Sequence, residues 1–226
     1  MLGGLIKFTT IDYPGQIACT VFTSGCNYRC PYCHNPELVE AGATHSEEDF
    51  FNFIGTRVGN LDGVCICGGE PTIHADLPEF IKKIKAMGFL VKLDTNGSNP
   101  EMLASLIESK LVDYVALDIK APKDRYNEAI GMHVDVENIE RCISILEASE
   151  IEYEFRTTVV PSLINKEDII SIANWLGKRG KFYLQNFKPN RTLDPNFNDV
   201  LPYSNRQLDE FKSEIRHIVT SCGVRK

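Results

Sequence analysis

Residues 17–36 read I-A-C-T-V-F-T-S-G-C-N-Y-R-C-P-Y-C-H-N-P and join an apolar, β-branched run to three cysteines within eight residues. The run has the length and composition of a strand and stops at Ser24-Gly25. A loop carrying Cys26, Cys30 and Cys33 in C-x3-C-x2-C spacing therefore hangs from the C-terminal end of a strand. Thiolates set this closely favour iron–sulfur clusters or zinc over hard cations. No fourth cysteine follows until Cys65, and His34, directly after Cys33, is poorly spaced to close a zinc tetrahedron. A four-iron cubane held by three thiolates keeps one iron free of protein ligands, where a small molecule can dock. The alternatives are a loop with incidental thiols and a disulfide pair with one spare.

Outward from this loop the pattern alternates. Residues 4–8 form a short leading strand, and Asp12-Tyr13-Pro14-Gly15 reads as a turn. Five more strands follow the first, at residues 63–67, 89–93, 114–117, 153–160 and 182–187. Helices are expected between them at 46–58, 77–87, 100–109, 136–148 and 166–178, with a last one at 205–220. Residues 121–133 read as mostly loop. Residues 188–203, rich in proline and asparagine, read as a long surface excursion.

Six strands alternating with helices predict a parallel α/β sheet with helices outside. A full eight-unit barrel takes about 250 residues, so six units in 226 residues predict an incomplete (β/α)6 barrel with a lateral opening. One domain over residues 1–226 is expected, with 1–16 as an N-terminal extension and 188–226 as a C-terminal loop and helix. Gly68-Gly69-Glu70, Asp94-Thr95-Asn96, Asp118-Ile119-Lys120 and the cysteine loop all fall at C-terminal strand ends. In parallel α/β architectures chemistry collects on that rim.

Composition narrows the classes. A net charge of −7 disfavours broad nucleic-acid binding. No run approaches the ~20 apolar residues of a membrane span, and no secretory signal is visible at the start. A cytoplasmic protein is expected, its eight cysteines reduced. Cys65 and Cys67 share one strand face by period two. They are expected to be buried structural thiols, as are Cys19, Cys142 and Cys222.

Cys26, Cys30 and Cys33, with Tyr32 before the last, resemble the signature of the radical S-adenosylmethionine (radical SAM) superfamily. His34-Asn35-Pro36 resembles its glycyl-radical-enzyme activases. The opening Gly3-Gly4-Leu5-Ile6-Lys7-Phe8 and Ile11-Asp12-Tyr13-Pro14-Gly15 are similar to the activating protein of anaerobic ribonucleoside-triphosphate reductase. The resemblance implies a [4Fe-4S] cluster whose open iron is chelated by the amino and carboxylate groups of S-adenosylmethionine (SAM). One electron then breaks a carbon–sulfur bond to give methionine and a 5′-deoxyadenosyl radical, with the protein positioning both cofactors.

The same resemblance assigns roles around the rim. Gly68-Gly69-Glu70 looks like the motif that meets the SAM ammonium; a plain strand-ending turn is the alternative. Asp118-Ile119-Lys120 resembles the Asp-Leu-Lys of formate-lyase activases, with Lys120 on the SAM carboxylate. Asp118, together with Asp94 and Thr95, would hold a monovalent cation, unless the rim is simply hydrated. Arg156, in an otherwise mostly apolar or hydroxylated strand, faces inward to pair with the carboxylate or outward as an ordinary ion pair. Tyr32 is placed to read adenine. Gln185 stands where short formate-lyase activases have a histidine, and His34 and Asn96 complete the expected cofactor set.

The implied function is hydrogen abstraction from a glycine of anaerobic ribonucleoside-triphosphate reductase. Flavodoxin, ferredoxin or a small thiol protein would supply electrons. Without a large appended domain, the partner is expected to bring its own loop through the barrel opening. The other readings are an activase of the formate-lyase type, a radical SAM enzyme acting on a small molecule, and a zinc-binding interaction module.

Overall fold

The computed structural model describes residues 1–40, 42 and 44–225. Among the described residues, eight strands form one sheet in chain order: β1 (Leu2–Thr9), β2 (Ala18–Thr23), β3 (Gly63–Gly68), β4 (Leu90–Thr95), β5 (Tyr114–Asp118), β6 (Glu152–Val159), β7 (Lys181–Asn186) and β8 (Ser221–Arg225). Only β1 runs antiparallel to its neighbour; all later pairs are parallel. Helices α1 (Glu47–Gly55), α2 (Leu77–Ala86), α3 (Pro100–Glu108), α4 (Tyr126–Ile130), α5 (Val136–Ala148), α6 (Lys166–Leu176) and α7 (Asn205–Ile215) fill the connections. The six expected βα units run from β2 to α7. Among the described residues β1 and β8 do not pair, so the barrel stays open on that flank.

Two elements depart from the sequence reading. The last helix, expected to reach residue 220, ends at Ile215, and Ser221–Arg225 adds a strand beside β7. β-branched Ile218, Val219 and Thr220 favour leaving the helix. Gly223 then lies against the Tyr183 ring, where a Cβ would come within 2.6 Å. The C-terminal segment is therefore loop, helix and strand; its final residue, Lys226, lies outside the described residues. The stretch expected as loop holds the single-turn α4, stopped by Gly131 in a left-handed conformation at φ 74°.

Alternation divides the strands' side chains between two environments. On the outside, Val64, Ile66, Val91, Leu93, Val115, Leu117, Phe155, Phe182 and Leu184 are fully buried. They join Phe80, Ile84, Leu103, Leu106, Ile143, Ile172 and Leu208 from the helices in one apolar cluster. Full burial of each such side chain stabilises by ~1.5–3 kcal/mol. On the inside, Thr20, Cys65, Cys67, Asp94, Asp118 and Arg156 line a cavity instead.

Candidate active site

The cysteine loop is fixed at its root before any ligand is considered. Gly25 N–H donates to Leu38 O at 2.8 Å and Cys26 N–H to Val39 O at 3.1 Å. Within the loop, Cys33 N–H donates to Cys30 O at 3.0 Å, and Arg29 Nη1 donates to Cys26 O at 2.6 Å. Burial pushes the Cys26 thiol up to about 11 and raises Cys30 as well. A metal centre that replaces the proton reverses this, since thiols bind metal as thiolates.

The end of β3 is sewn to that root. Gly69 N–H donates to Thr23 O at 2.8 Å and Glu70 N–H to Gly25 O at 2.9 Å. A Cβ on Gly68 would lie 2.3 Å from Thr23 N, and one on Gly69 would lie 2.0 Å from Gly25 O. The glycines thus admit neighbouring backbone. Glu70, only 1% exposed, binds the rim together. Its Oε1 accepts from Thr72 N at 3.1 Å, Thr72 Oγ1 at 2.5 Å and Thr95 Oγ1 at 2.6 Å, and its Oε2 accepts from Asn96 N at 2.7 Å. Burial outweighs these four donors and raises the carboxyl. Asn96 Nδ2 donates in turn to Asn27 Oδ1 of the cysteine loop at 3.0 Å.

Arg156 faces inward, but its partners are protein carboxylates. Nε donates to Asp118 Oδ1 at 2.8 Å and Nη1 to Asp94 Oδ2 at 2.9 Å. Lys92, 1% exposed, pairs with Asp94 Oδ1, and Lys120 Nζ donates to Asp118 Oδ2 at 2.9 Å. Burial alone raises both carboxyls, yet Arg156 with the lysines holds them below the usual carboxylate range. All four oxygens of Asp94 and Asp118 are thus engaged, and the Thr95 hydroxyl donates to Glu70. The guanidinium stands between the two carboxylates, so a monovalent cation there would share oxygens that already accept from Arg156, Lys92 and Lys120.

Cys26, Cys30, Cys33, Tyr32, His34, Gly68, Gly69, Glu70, Asp94, Thr95, Asn96, Asp118, Lys120, Arg156 and Gln185 all line one cavity of about 540 Å³. Among the described residues, no set of three or more His, Cys, Asp or Glu converges on a single metal ion, as a zinc site requires. Three thiols lining one cavity suit a multi-iron centre, which thiolates favour. Among the described residues, the buried Asn186 Oδ1 of this cavity has no hydrogen-bond partner, and the buried Tyr32 OH has only the Cys30 thiol beside it. They fit a polar ligand, because buried polar groups are ordinarily satisfied.

Lys92 and Asn186 were not anticipated. Lys92 was signalled by sharing Asp94's strand face, and Asn186 only by its adjacency to Gln185. Cys65 and Cys67 do share a face, as period two requires, but they line this cavity rather than apolar core, and Cys67 is half-buried.

The radical SAM superfamily sequence profile matches residues 20–176. A Methanocaldococcus jannaschii protein, provisionally named a glycyl-radical enzyme activating enzyme, is 33% identical over 231 residues, covering 100% of this chain and 95% of its own. The pyruvate formate-lyase-activating enzyme of Listeria monocytogenes serovar 1/2a is 35% identical over 126 residues, 49% of each chain. In fold, Streptococcus suis SuiB bound to precursor peptide SuiA is similar at TM-score 0.69 and 16% identity, over 92% of this chain and 48% of that one.

Proposed function

We propose, for a chain that belongs to the radical SAM superfamily and within it to the glycyl-radical-enzyme activating enzymes, that it installs a glycyl radical on anaerobic ribonucleoside-triphosphate reductase. The observation that carries the radical chemistry is the meeting of three cysteine thiols, the Glu70 loop and the Asp118–Lys120 strand end in one cavity; the reductase as partner rests on the resemblance of the opening segments Gly3–Phe8 and Ile11–Gly15. The family works with a [4Fe-4S] cluster and SAM. Bound together, these supply one-electron cleavage of a carbon–sulfur bond and hydrogen-atom abstraction from carbon.

The chain's own residues hold and orient. Cys26, Cys30 and Cys33 would ligate three irons. Lys120 gives one hydrogen bond to Asp118 and keeps two N–H donors for the ligand carboxylate. Glu70 would meet the ammonium through Oε2, for which Asn96 N–H is the protein donor. Arg156 braces Asp94 and Asp118 rather than taking the carboxylate itself. Tyr32 and Asn186 would satisfy their buried polar atoms on the adenosine end, with Gln185 and His34 at the same mouth. The partner's glycine loop would enter by the open flank between β1 and β8.

No helix is long and apolar enough to cross a membrane among the described residues. Electrons would come from a flavodoxin, a ferredoxin or a small thiol protein, and the proposed setting is the cytoplasm. The second reading is activation of a formate-lyase-type enzyme, favoured by the 35% identity to the Listeria activase. To decide, the reduced protein and SAM are incubated separately with the reductase and with pyruvate formate-lyase, and each mixture is examined by electron paramagnetic resonance. A glycyl doublet on the reductase supports the first reading, and one on the lyase alone moves the assignment to the second. No doublet on either rejects both.

A further inference from the structure

We infer that the excursion between β7 and α7 is a latch that positions Cys33 and sets how firmly the protein retains its cluster. This rests on the cluster assignment made above. The excursion is closed at its base, like an Ω-loop. Asn186 Nδ2 donates to Tyr203 O at 2.9 Å, and Tyr203 OH donates to Ile164 O at 3.1 Å. The Tyr203 ring meets Phe211 of α7 edge-on at 5.0 Å. From that fixed base the loop, read from sequence as a long surface excursion, folds back over the cysteine loop. Leu193 N–H donates to Cys33 O at 3.0 Å, and Asp194 N–H donates to Pro31 O at 2.9 Å.

The donors are held in place by Thr192, which is 6% exposed. Its N–H donates to Asn198 Oδ1 at 2.9 Å. Its hydroxyl lies 2.6 Å from Asp194 O and 2.9 Å from Asn198 Oδ1. Asp194 Oδ1 then accepts from Asn196 N–H at 3.0 Å, closing the turn at Pro195–Phe197. None of these groups lines the cavity. Thr192, Leu193 and Asn198 are positioning residues, acting on the cluster through the Cys33 backbone.

The three cysteines differ in what holds them. Cys26 sits at the root, where Val39 takes its N–H and the β3 end packs against Gly25. Cys33 lies at the far end of the loop, and its carbonyl is taken by the latch. A ligand whose backbone is fixed cannot swing away when its bond to iron opens transiently. Groups that orient metal ligands in this indirect way typically change metal affinity about 10–100-fold when removed.

The test uses the full chain, purified without oxygen and reconstituted with iron and sulfide. Wild type, Thr192→Val, Asn198→Ala and Leu193→Pro are challenged with the ferrous chelator bathophenanthroline, and iron release is followed by absorbance. Leu193→Pro removes the N–H that Cys33 accepts. Leu201→Ala, at an 84% exposed position of the same excursion, is the control. The latch predicts about tenfold faster release in the three latch variants, with equal initial iron content. Melting of the iron-free chains should stay within about 2 °C of wild type, and the control should release iron at the wild-type rate. Release at the wild-type rate in Thr192→Val and Asn198→Ala overturns the inference, as does an equal acceleration in Leu201→Ala. A wild-type chain that takes up no iron refutes the cluster assignment itself, and the latch with it.

Discussion

On β4, Val91 and Leu93 turn outward into the helices, while Lys92 and Asp94 turn into the barrel. On β6, Phe155 turns outward, while Glu154 and Arg156 share the inner face. Every one of these side chains is nearly or wholly out of water. The outer face is held by contact area, which has no direction and tolerates swaps of similar volume. The inner face is held by pairing, because a buried charge without a partner costs far more than a buried methyl group gains. Away from the mouth the same rule applies. Glu154 accepts from Arg225 Nη1 and Nη2, both at 2.6 Å, and from Tyr114 OH at 2.9 Å. The fold is thus carried by one face. The other fixes Asp118 and Lys120 in place before any ligand arrives.

The sharpest way to break this comparison is Arg156→Leu. It removes the charge between Asp94 and Asp118 while leaving the outer cluster untouched. A loss of ~3–5 kcal/mol in unfolding free energy is expected, the usual cost of breaking a buried pair, measured by urea denaturation. A loss below ~1 kcal/mol would mean that the lysines suffice alone. The loss should depend on pH. Asp94 and Asp118 titrate lower folded than their unfolded value of about 3.9. Their stabilisation is therefore present above about pH 4 and lost as pH falls through the folded values. In Arg156→Leu both carboxyls titrate nearer the ordinary range, so the gap from wild type is full above about pH 4 and narrows below it, as pH falls through the folded wild-type values. Next in size is Lys120→Met. Losing a charged donor costs ~1.5–3 kcal/mol, or about 10–100-fold in affinity. This is read by calorimetric titration with S-adenosylhomocysteine. Unchanged affinity would remove Lys120 from the ligand site.

The asymmetry also explains what could be read in advance. The outer face writes itself into the chain as apolar residues at period two in strands and at helical spacing between them, which is why six βα units were legible. The rim residues were legible as polar groups following apolar runs. Their pairing was not. Asp94 meets Arg156 across 62 residues through the register of β4, β5 and β6, and no local pattern encodes that register. Arg156 therefore reads as inward toward a ligand carboxylate or outward as an ordinary ion pair, and the rim carboxylates as cation-binding or hydrated, none of which names the Arg156 pairing with Asp94 and Asp118. β8 escaped because Ser221–Arg225 has neither alternation nor an apolar run, and Gly223 is there to admit a ring. The latch was illegible for a simpler reason: its donors are backbone N–H groups of Leu193 and Asp194, which leave no mark in side-chain chemistry.

Two smaller substitutions separate direction from area. Glu70→Gln keeps the shape but leaves only one oxygen where two accept. If the amide oxygen stays with Thr72 and Thr95, its NH₂ confronts Asn96 N–H, donor against donor; if it flips, two hydroxyls lose their acceptor. Either way at least one buried group goes unsatisfied, at ~1–3 kcal/mol for each. Ile66→Val, in contrast, removes one methylene from a fully buried outer-face site, at ~0.5–1.5 kcal/mol. The two stability costs overlap, so stability alone cannot rank the faces, and ligand affinity must. S-adenosylhomocysteine should bind Ile66→Val as it binds wild type, because area lost behind the sheet moves nothing at its mouth. It should bind Glu70→Gln more weakly, because Asn96 and the cysteine loop lose their common anchor. Equal weakening in both variants would show that the rim is held by the packing behind it, and the two faces would then be one structure.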